Sequence, residues 1–193
     1  MNHPVAHTSA VDYPIHLIGT TAQAVEISIH SPSQYICANC EKILPDWKNQ
    51  LSFWVVIFLQ QSKHEIVESS LEIEAEKQRL REKFMKFGLD VAFVLRDRGY
   101  LTDLIDPRTG YPLFSRPGKF PHDDTAAVKA LLGYPVIKNK CRVLIHPHWG
   151  TAVYPSILLS AAYPFIIESV IKSMAPLHGW KEKSWKAFTE KSI

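Results

Sequence analysis

Ten consecutive residues, Leu51–Gln60, read Leu-Ser-Phe-Trp-Val-Val-Ile-Phe-Leu-Gln and are apolar, aromatic or β-branched almost throughout. The run is far shorter than the roughly 20 apolar residues that cross a bilayer. It is also too uniform for a strand with one wet face, where apolar and polar residues alternate. It predicts a central strand covered on both faces, so the chain must supply apolar material for two sides of a sheet. Ala24–Ile29 supplies a neighbour: Val25, Ile27 and Ile29 alternate with Glu26 and Ser28, a half-buried strand by its period of two. Ile73–Asp97 supplies a cover. Leu80, Phe84, Phe87, Val91 and Val94 form one stripe at helical period, with Lys77, Arg79, Arg81, Glu82, Lys83 and Lys86 on a solvated face. Gly88 within it costs about 1 kcal/mol against alanine, a defect that close packing would explain.

The remaining punctuation gives the order of elements. Ser31-Pro32 opens a helix from about Ser33 to Leu44, stopped by Pro45. Glu65–Leu71 reads as a second strand or an extended approach to the long helix, and Gly99 as its left-handed cap. Leu101–Ile105 is a strand, Asp106-Pro107-Arg108-Thr109-Gly110 a turn, and Tyr111–Phe114 a candidate hairpin partner. Ser115–Pro121 is a loop, and Asp123 or Asp124 caps a short helix ending at Gly133. Cys141–His146 is a strand, with Thr151–Ala161 as its expected antiparallel partner, although Pro155 counts against a fully central place for the latter. Phe165–Met174 is helical and Pro176 breaks it. The fold class expected is α+β, a mainly antiparallel sheet packed with helices. The expected organisation is a flexible segment over residues 1–20, one domain over 21–174, and a basic aromatic tail over 175–193, either a docking helix or a loose amphipathic segment.

Composition narrows function by exclusion. The 193 residues carry 22 basic and 19 acidic side chains, a net charge of +3, too balanced for an electrostatic nucleic-acid clamp. Three cysteines, Cys37, Cys40 and Cys141, form no disulfide framework and fit a reducing compartment. Met1–Ala10 lacks the basic region and apolar run of a signal peptide and holds no arginine. No segment is long enough to span a membrane. The expectation is a soluble, cytoplasmic protein without nucleic-acid partners.

Chemistry-bearing motifs are sparse. Cys37-Ala38-Asn39-Cys40 is a lone CxxC, able to chelate zinc or form a redox pair, or simply to be two half-buried cysteines. A zinc site needs about two more ligands, for which His30, His146 and His148 are candidates. His146-Pro147-His148-Trp149-Gly150 sets two histidines two apart, where extended backbone would point them the same way; a hydrogen-bonded structural role competes with metal ligation. Asp103 with Asp106, and Asp123 with Asp124, are carboxylate pairs that turn and cap roles also explain. GxSxG, P-loop and GxGxxG patterns are absent. No catalytic constellation and no metal site emerges, which favours a binding or adaptor protein.

One ordered set of motifs is more specific. Gly99-Tyr100, Asp103, Ile105-Asp106-Pro107, Gly110, Leu132-Gly133, Cys141-Arg142-Val143, His146 and Trp149-Gly150-Thr151 together resemble the methylmalonic aciduria and homocystinuria type D protein family. Weaker similarity extends upstream through the Leu51 strand, the Ser70–Glu74 segment and the long helix to Arg98, and altogether the resemblance covers roughly Val25 to Ala162. The resemblance implies a nitroreductase-type sandwich without flavin. It also implies a non-enzymatic adaptor that works beside the type C cobalamin-processing protein and routes the cofactor to a B12-dependent enzyme such as methionine synthase. It implies no cofactor bound by the chain alone, with cobalamin presented by the partner. Asp103, Asp106, Pro107, Gly110, His146, Trp149 and Gly150 are the family motif and interface candidates. A family cysteine thiolate ligates cobalt on the partner's cofactor, chemistry that suits a soft ligand. Vertebrate members have two adjacent cysteines, the first associated with cobalt, where this chain has Lys140-Cys141, so Cys141 is the candidate cobalt ligand here, displaced by one position. The long leader of vertebrate forms is missing from this sequence, which points to a cytosolic role in methionine synthesis. Two alternatives stand beside this reading: a flavin-dependent reductase on the same kind of fold, and a zinc- or redox-linked interaction protein using Cys37, Cys40 and a histidine.

Overall fold

The computed structural model describes residues 14–19, 22–138 and 142–183. Its centre is a six-stranded antiparallel sheet. In chain order the strands are β1 (Ile15–Gly19), β2 (Ala24–His30), β3 (Trp54–Gln61), β4 (Thr102–Ile105), β7 (Val153–Ser160) and β8 (Trp180–Glu182), and in space they run β4-β7-β3-β2-β1-β8. A separate hairpin pairs β5 (Val136–Lys138) with β6 (Arg142–Leu144). Among the described residues the α-helices are α1 (Gln34–Ile43), α2 (Leu71–Asp97), α3 (Asp124–Leu132) and α4 (Pro164–Met174). The α+β class follows as expected.

The apolar run does what its composition demands. Val55 to Leu59 of β3 are each at most 1% exposed. Val56 and Phe58 join Val25, Ile27, Ile29 and Leu158 in a core beneath α2 and α4. Val55, Ile57 and Leu59 point the other way, with Ile157, Leu159 and Ile105, into a second core closed by Ile36, Ile43 and Trp47 on the α1 side and Val128 of α3. The period of two along one strand therefore builds two cores. Even Gln60 is buried, its Nε2 donating to the Leu80 carbonyl of α2 at 3.0 Å.

The long helix starts where Ser70 Oγ accepts the Ile73 N–H, two residues before the sequence boundary. Its stripe packs edge to face on the sheet, with Phe58 5.3 Å from Phe84 and 5.9 Å from Phe87. A Cβ on Gly88 would lie 2.4 Å from Leu104 Cδ2, so the glycine marks the closest approach of α2 to β4. The solvated face has an exception: Arg81 reaches across to Asp106 and is not free in water.

Other local expectations shift. Ser33, not Ser31, caps α1. Glu65–Leu71 is no strand and approaches α2 through bends. Tyr111–Phe114 keeps only one bridge, Pro112 with Ile105, because the chain turns away to be held by Asp103. The larger correction concerns β7. Thr151–Ala161 was expected to pair with Cys141–His146, yet β7 lies between β3 and β4, and β6 pairs with β5. Only His146 with Gly150 bridges that reversal. Pro155 is tolerated because it lies beyond the end of the β4 ladder, which stops at Ile157. Two strands arise outside the span assigned to the domain. Ile15–Gly19 falls in the segment expected to be flexible, and Trp180–Glu182 falls in the expected tail. They pair with each other, and Trp180 is 2% exposed against Phe87, ring centroids 4.5 Å apart. Residues 184–193 lie outside the described part of the chain.

Glu76 is the most deeply placed acid on α2. Burial would raise its carboxyl, but the Arg79 fork, at 2.7 Å twice, and the Lys63 backbone N–H outweigh it and hold the group down at about 2. Glu76→Gln is expected to cost about 1–3 kcal/mol at pH 7. The folded value is depressed, so this contribution is present above the ordinary value of 4.5 and fades as pH falls toward 2. Urea denaturation of both proteins across that range checks it.

Candidate functional site

The motif residues separate into two groups in space. Asp106, Pro107 and Gly110 belong to a turn that walls a cavity of about 750 Å³, between the first half of α2 and the start of α3. His146, Trp149 and Gly150 form a reversal over β2, away from it. Asp103 lies beneath the loop that follows the turn.

The turn is held by charge and by close packing. Arg81 forks onto Asp106, Nε to Oδ1 at 2.7 Å and Nη2 to Oδ2 at 2.8 Å, while the Arg108 N–H donates to Oδ1 at 3.0 Å. The Arg81 fork is the main cause that lowers the Asp106 carboxyl, against a smaller opposing effect of burial. Gly110 has φ of +73°, and a Cβ there would sit 2.4 Å from the His122 carbonyl oxygen. Its own carbonyl accepts the His122 N–H at 2.7 Å. The turn thus presses on the segment leading into α3, and no side chain fits between them.

Asp103 does no exposed work. It is fully buried, and its two oxygens accept the backbone N–H groups of Leu113, Phe114 and Ser115 at 2.9, 3.0 and 2.7 Å. An aspartate four residues after a helix-ending glycine carries no signal for this; the loop it collects is ten residues away.

His146 is 1% exposed. Its Nδ1 accepts the backbone N–H groups of His148 and Trp149, both at 3.2 Å, so Nε2 carries the proton and donates to Glu26 at 3.0 Å. The Trp149 ring stacks on it at 3.9 Å. Burial opposes the Glu26 charge, but the His146 hydrogen bond and the nearby histidines outweigh it and lower the carboxyl. The two histidines are therefore not side by side on a strand. His146 is consumed as the hub of a turn, and Gly150 completes it at φ of +56°.

Around the cavity stand residues that the sequence did not single out as a site: Lys77 and Arg81 from α2, His122, Tyr154 on β7, and Arg142 on β6. Asp123 is the true cap of α3, accepting the Ala126 N–H at 2.8 Å and pairing with Arg142. Asp124, the other half of that pair, is half-buried and bonded to His122 at 3.0 Å. Burial pushes its carboxyl up, opposed by His122, and burial also raises the Tyr154 hydroxyl. No motif marks this set, because the residues come from four separate elements.

Cys37 and Cys40 lie on α1, the first exposed and the second half-buried. Burial and the neighbouring thiol raise Cys40, the direction away from a reactive thiolate. Among the described residues, no three His, Cys, Asp or Glu side chains are grouped to hold a metal ion, and no helix is long and apolar enough to cross a membrane. Cys141, the candidate cobalt ligand, lies outside the described residues, in the 139–141 connection between β5 and β6.

Residues 13–167 match the family model described as methylmalonic aciduria and homocystinuria type D protein, which takes in the cavity, the His146 reversal and the β5–β6 hairpin. The human cobalamin trafficking protein CblD is 28% identical over 141 residues, 72% of this chain and 47% of that protein. The rat protein of the same name is 28% identical over 130 residues, 67% of this chain and 44% of that protein. The chicken protein is 25% identical over 141 residues, again 72% and 47%. The chain thus spans less than half the length of these curated relatives.

Removing the buried carboxylate takes the acceptor from the Phe114 and Ser115 N–H groups, while the Leu113 N–H keeps its bond to the Leu104 carbonyl at 3.0 Å. Asp103→Ala is expected to cost about 3 kcal/mol, read by urea denaturation, and to expose residues 111–116 to limited proteolysis while the far-UV spectrum stays native.

Proposed function

Because this chain belongs to the methylmalonic aciduria and homocystinuria type D protein family, we propose that it serves cobalamin trafficking as an adaptor without turnover of its own. The match over residues 13–167 carries this reading. In it, the chain binds a cobalamin-loaded processing protein of the type C kind in the cytoplasm and passes the cofactor toward a B12-dependent enzyme such as methionine synthase. The chain holds no cobalamin by itself; the partner presents it.

Cys141 is the proposed contact to cobalt. It follows a strand whose last two residues, Ile137 and Lys138, are exposed, and it precedes exposed Arg142. Exposed described residues on both sides of position 141 suit contact with a cofactor held by another protein. A thiolate is the soft donor that cobalt in a corrin accepts. The family motif residues support this role from below. Asp103, Asp106 and His146 fix loops, and the Asp123–Arg142 pair ties the first residue of β6, next to the 139–141 connection, to the N-cap of α3.

The test mixes the purified chain with a cobalamin-loaded processing protein and follows the cobalt absorption bands. The expected result is a complex with a shifted spectrum, the shift lost in Cys141→Ser while the complex persists. A shift that survives the substitution moves the contact elsewhere. Separate proteins with every cobalamin form overturn the adaptor reading.

A further inference from the structure

The CxxC at Cys37 and Cys40 has no part in the cavity or in the His146 reversal. Both cysteines lie within α1, three positions apart, so their side chains rise from neighbouring points of one helix face, a turn apart. Cys37 is exposed and Cys40 half-buried. Cys40 packs against the core that Ile36 and Ile43 enter, so solvent reaches the pair from one side and the core lies on the other. The thiols are close enough to interact, since Cys37 is one of the causes that raise Cys40. Their other contacts are weak. Cys37 Sγ lies 3.8 Å from the Pro32 carbonyl and Cys40 Sγ 3.9 Å from the Leu44 carbonyl, both long enough to give way to a metal–thiolate bond.

The backbone decides between the chemistries open to such a pair. A relaxed disulfide needs Cβ atoms about 3.5–4.5 Å apart, whereas residues three apart in a helix hold them about 5–6 Å apart. α1 is pinned against closing that gap. The Cys37 N–H donates to the Ser33 carbonyl at 3.0 Å, and the Cys40 carbonyl accepts the Leu44 N–H at 2.6 Å. The Phe120 N–H holds the Lys42 carbonyl at 3.1 Å, and Ile36 and Ile43 are buried. An ion placed between the sulfurs spans the distance with the backbone where it is. Zinc and iron–sulfur clusters take about four protein ligands, and among the described residues no three His, Cys, Asp or Glu side chains are grouped to supply them. His30, the histidine nearest in sequence, is 3% exposed and bonded to Ser28 at 2.8 Å. The pair therefore offers two thiolates alone, the donor set of a soft filled-shell cation that two ligands satisfy. Of the metals that thiolates select, Cu(I) is that cation.

We propose that Cys37 and Cys40 bind one Cu(I) ion between them, as a two-coordinate dithiolate on the solvent-facing flank of α1. Each thiol gives up its proton on binding, so two protons leave and the loaded site carries one net negative charge. The copper enters and leaves as Cu(I), with no electron transferred. The site uses neither Cys141 nor a cofactor held by a partner, and it goes beyond the trafficking reading without resting on it.

The experiment titrates Cu(I) into the full, reduced chain without oxygen, against the chromophoric chelator bicinchoninate, and reads the copper withheld from the chelator. The native chain is compared with Cys37→Ser, Cys40→Ser and Cys141→Ser, each checked for fold by far-UV circular dichroism. The expected result is one Cu(I) held per native chain, kept in Cys141→Ser and lost in Cys37→Ser and in Cys40→Ser. X-ray absorption at the copper edge of the loaded native chain is expected to show two sulfur ligands. Should Cys40→Ser not fold, the variant at exposed Cys37 decides together with the copper spectrum. Copper that stays with the chelator, copper kept by folded Cys37→Ser, copper lost in Cys141→Ser, or a shell with nitrogen or oxygen ligands overturns the proposal. No processing partner or cobalamin is present, so none of these outcomes bears on the trafficking reading.

Discussion

From Val55 to Gln60 the chain has no route to water on either face of the sheet. That constraint organises everything else. A strand buried on both sides needs two covers, and it needs flanking strands to take up its backbone hydrogen bonds. β2 and β7 provide the ladders on its two edges. α2 and α4 close one face, and α1, α3 and the β6 region close the other. Each buried apolar side chain adds about 1.5–3 kcal/mol, so a polar substitution at Phe58 would strike the core under α2 and α4, and one at Ile57 the core on the opposite face.

The second face is where the motifs gather. Its covers are short elements joined by loops, and loops need internal ties to sit on a core. Asp103 gathers three N–H groups, Arg81 clamps Asp106, Gly110 lets two chain segments touch, and the His146 ring links its turn to Glu26. The residues that identify the family are therefore mostly the fasteners of this layer. They shape the turn that walls the cavity and the reversal that follows β6.

Periodicity made the regular elements legible in the sequence. β2, β3, α2 and α3 stand close to where period, caps and glycines put them, and the place of Gly88 was readable as a packing contact. Pairing was not legible. Nothing in Val153–Ser160 says that it inserts between β3 and β4, because a strand buried on both faces fits any central slot. β1 and β8 escaped for a different reason: each is short, and each is completed by the other from the opposite end of the chain. The turn role of Asp106 was readable, since Asp-Pro-x-x-Gly is a local signal. Its salt bridge to Arg81, 25 residues away, was not. The same holds for His122, Asp124 and Tyr154, which the fold brings to one wall without any spacing rule.

The function proposed above asks this two-cored fold to present the β5–β6 hairpin to a partner carrying cobalamin. The most direct measurement is sedimentation velocity of a cobalamin-loaded processing protein, recorded at a corrin wavelength with and without this chain. The account predicts that the corrin boundary moves to a faster-sedimenting species when the chain is added. A corrin boundary that does not move, with both proteins folded and in excess of any plausible affinity, would contradict it.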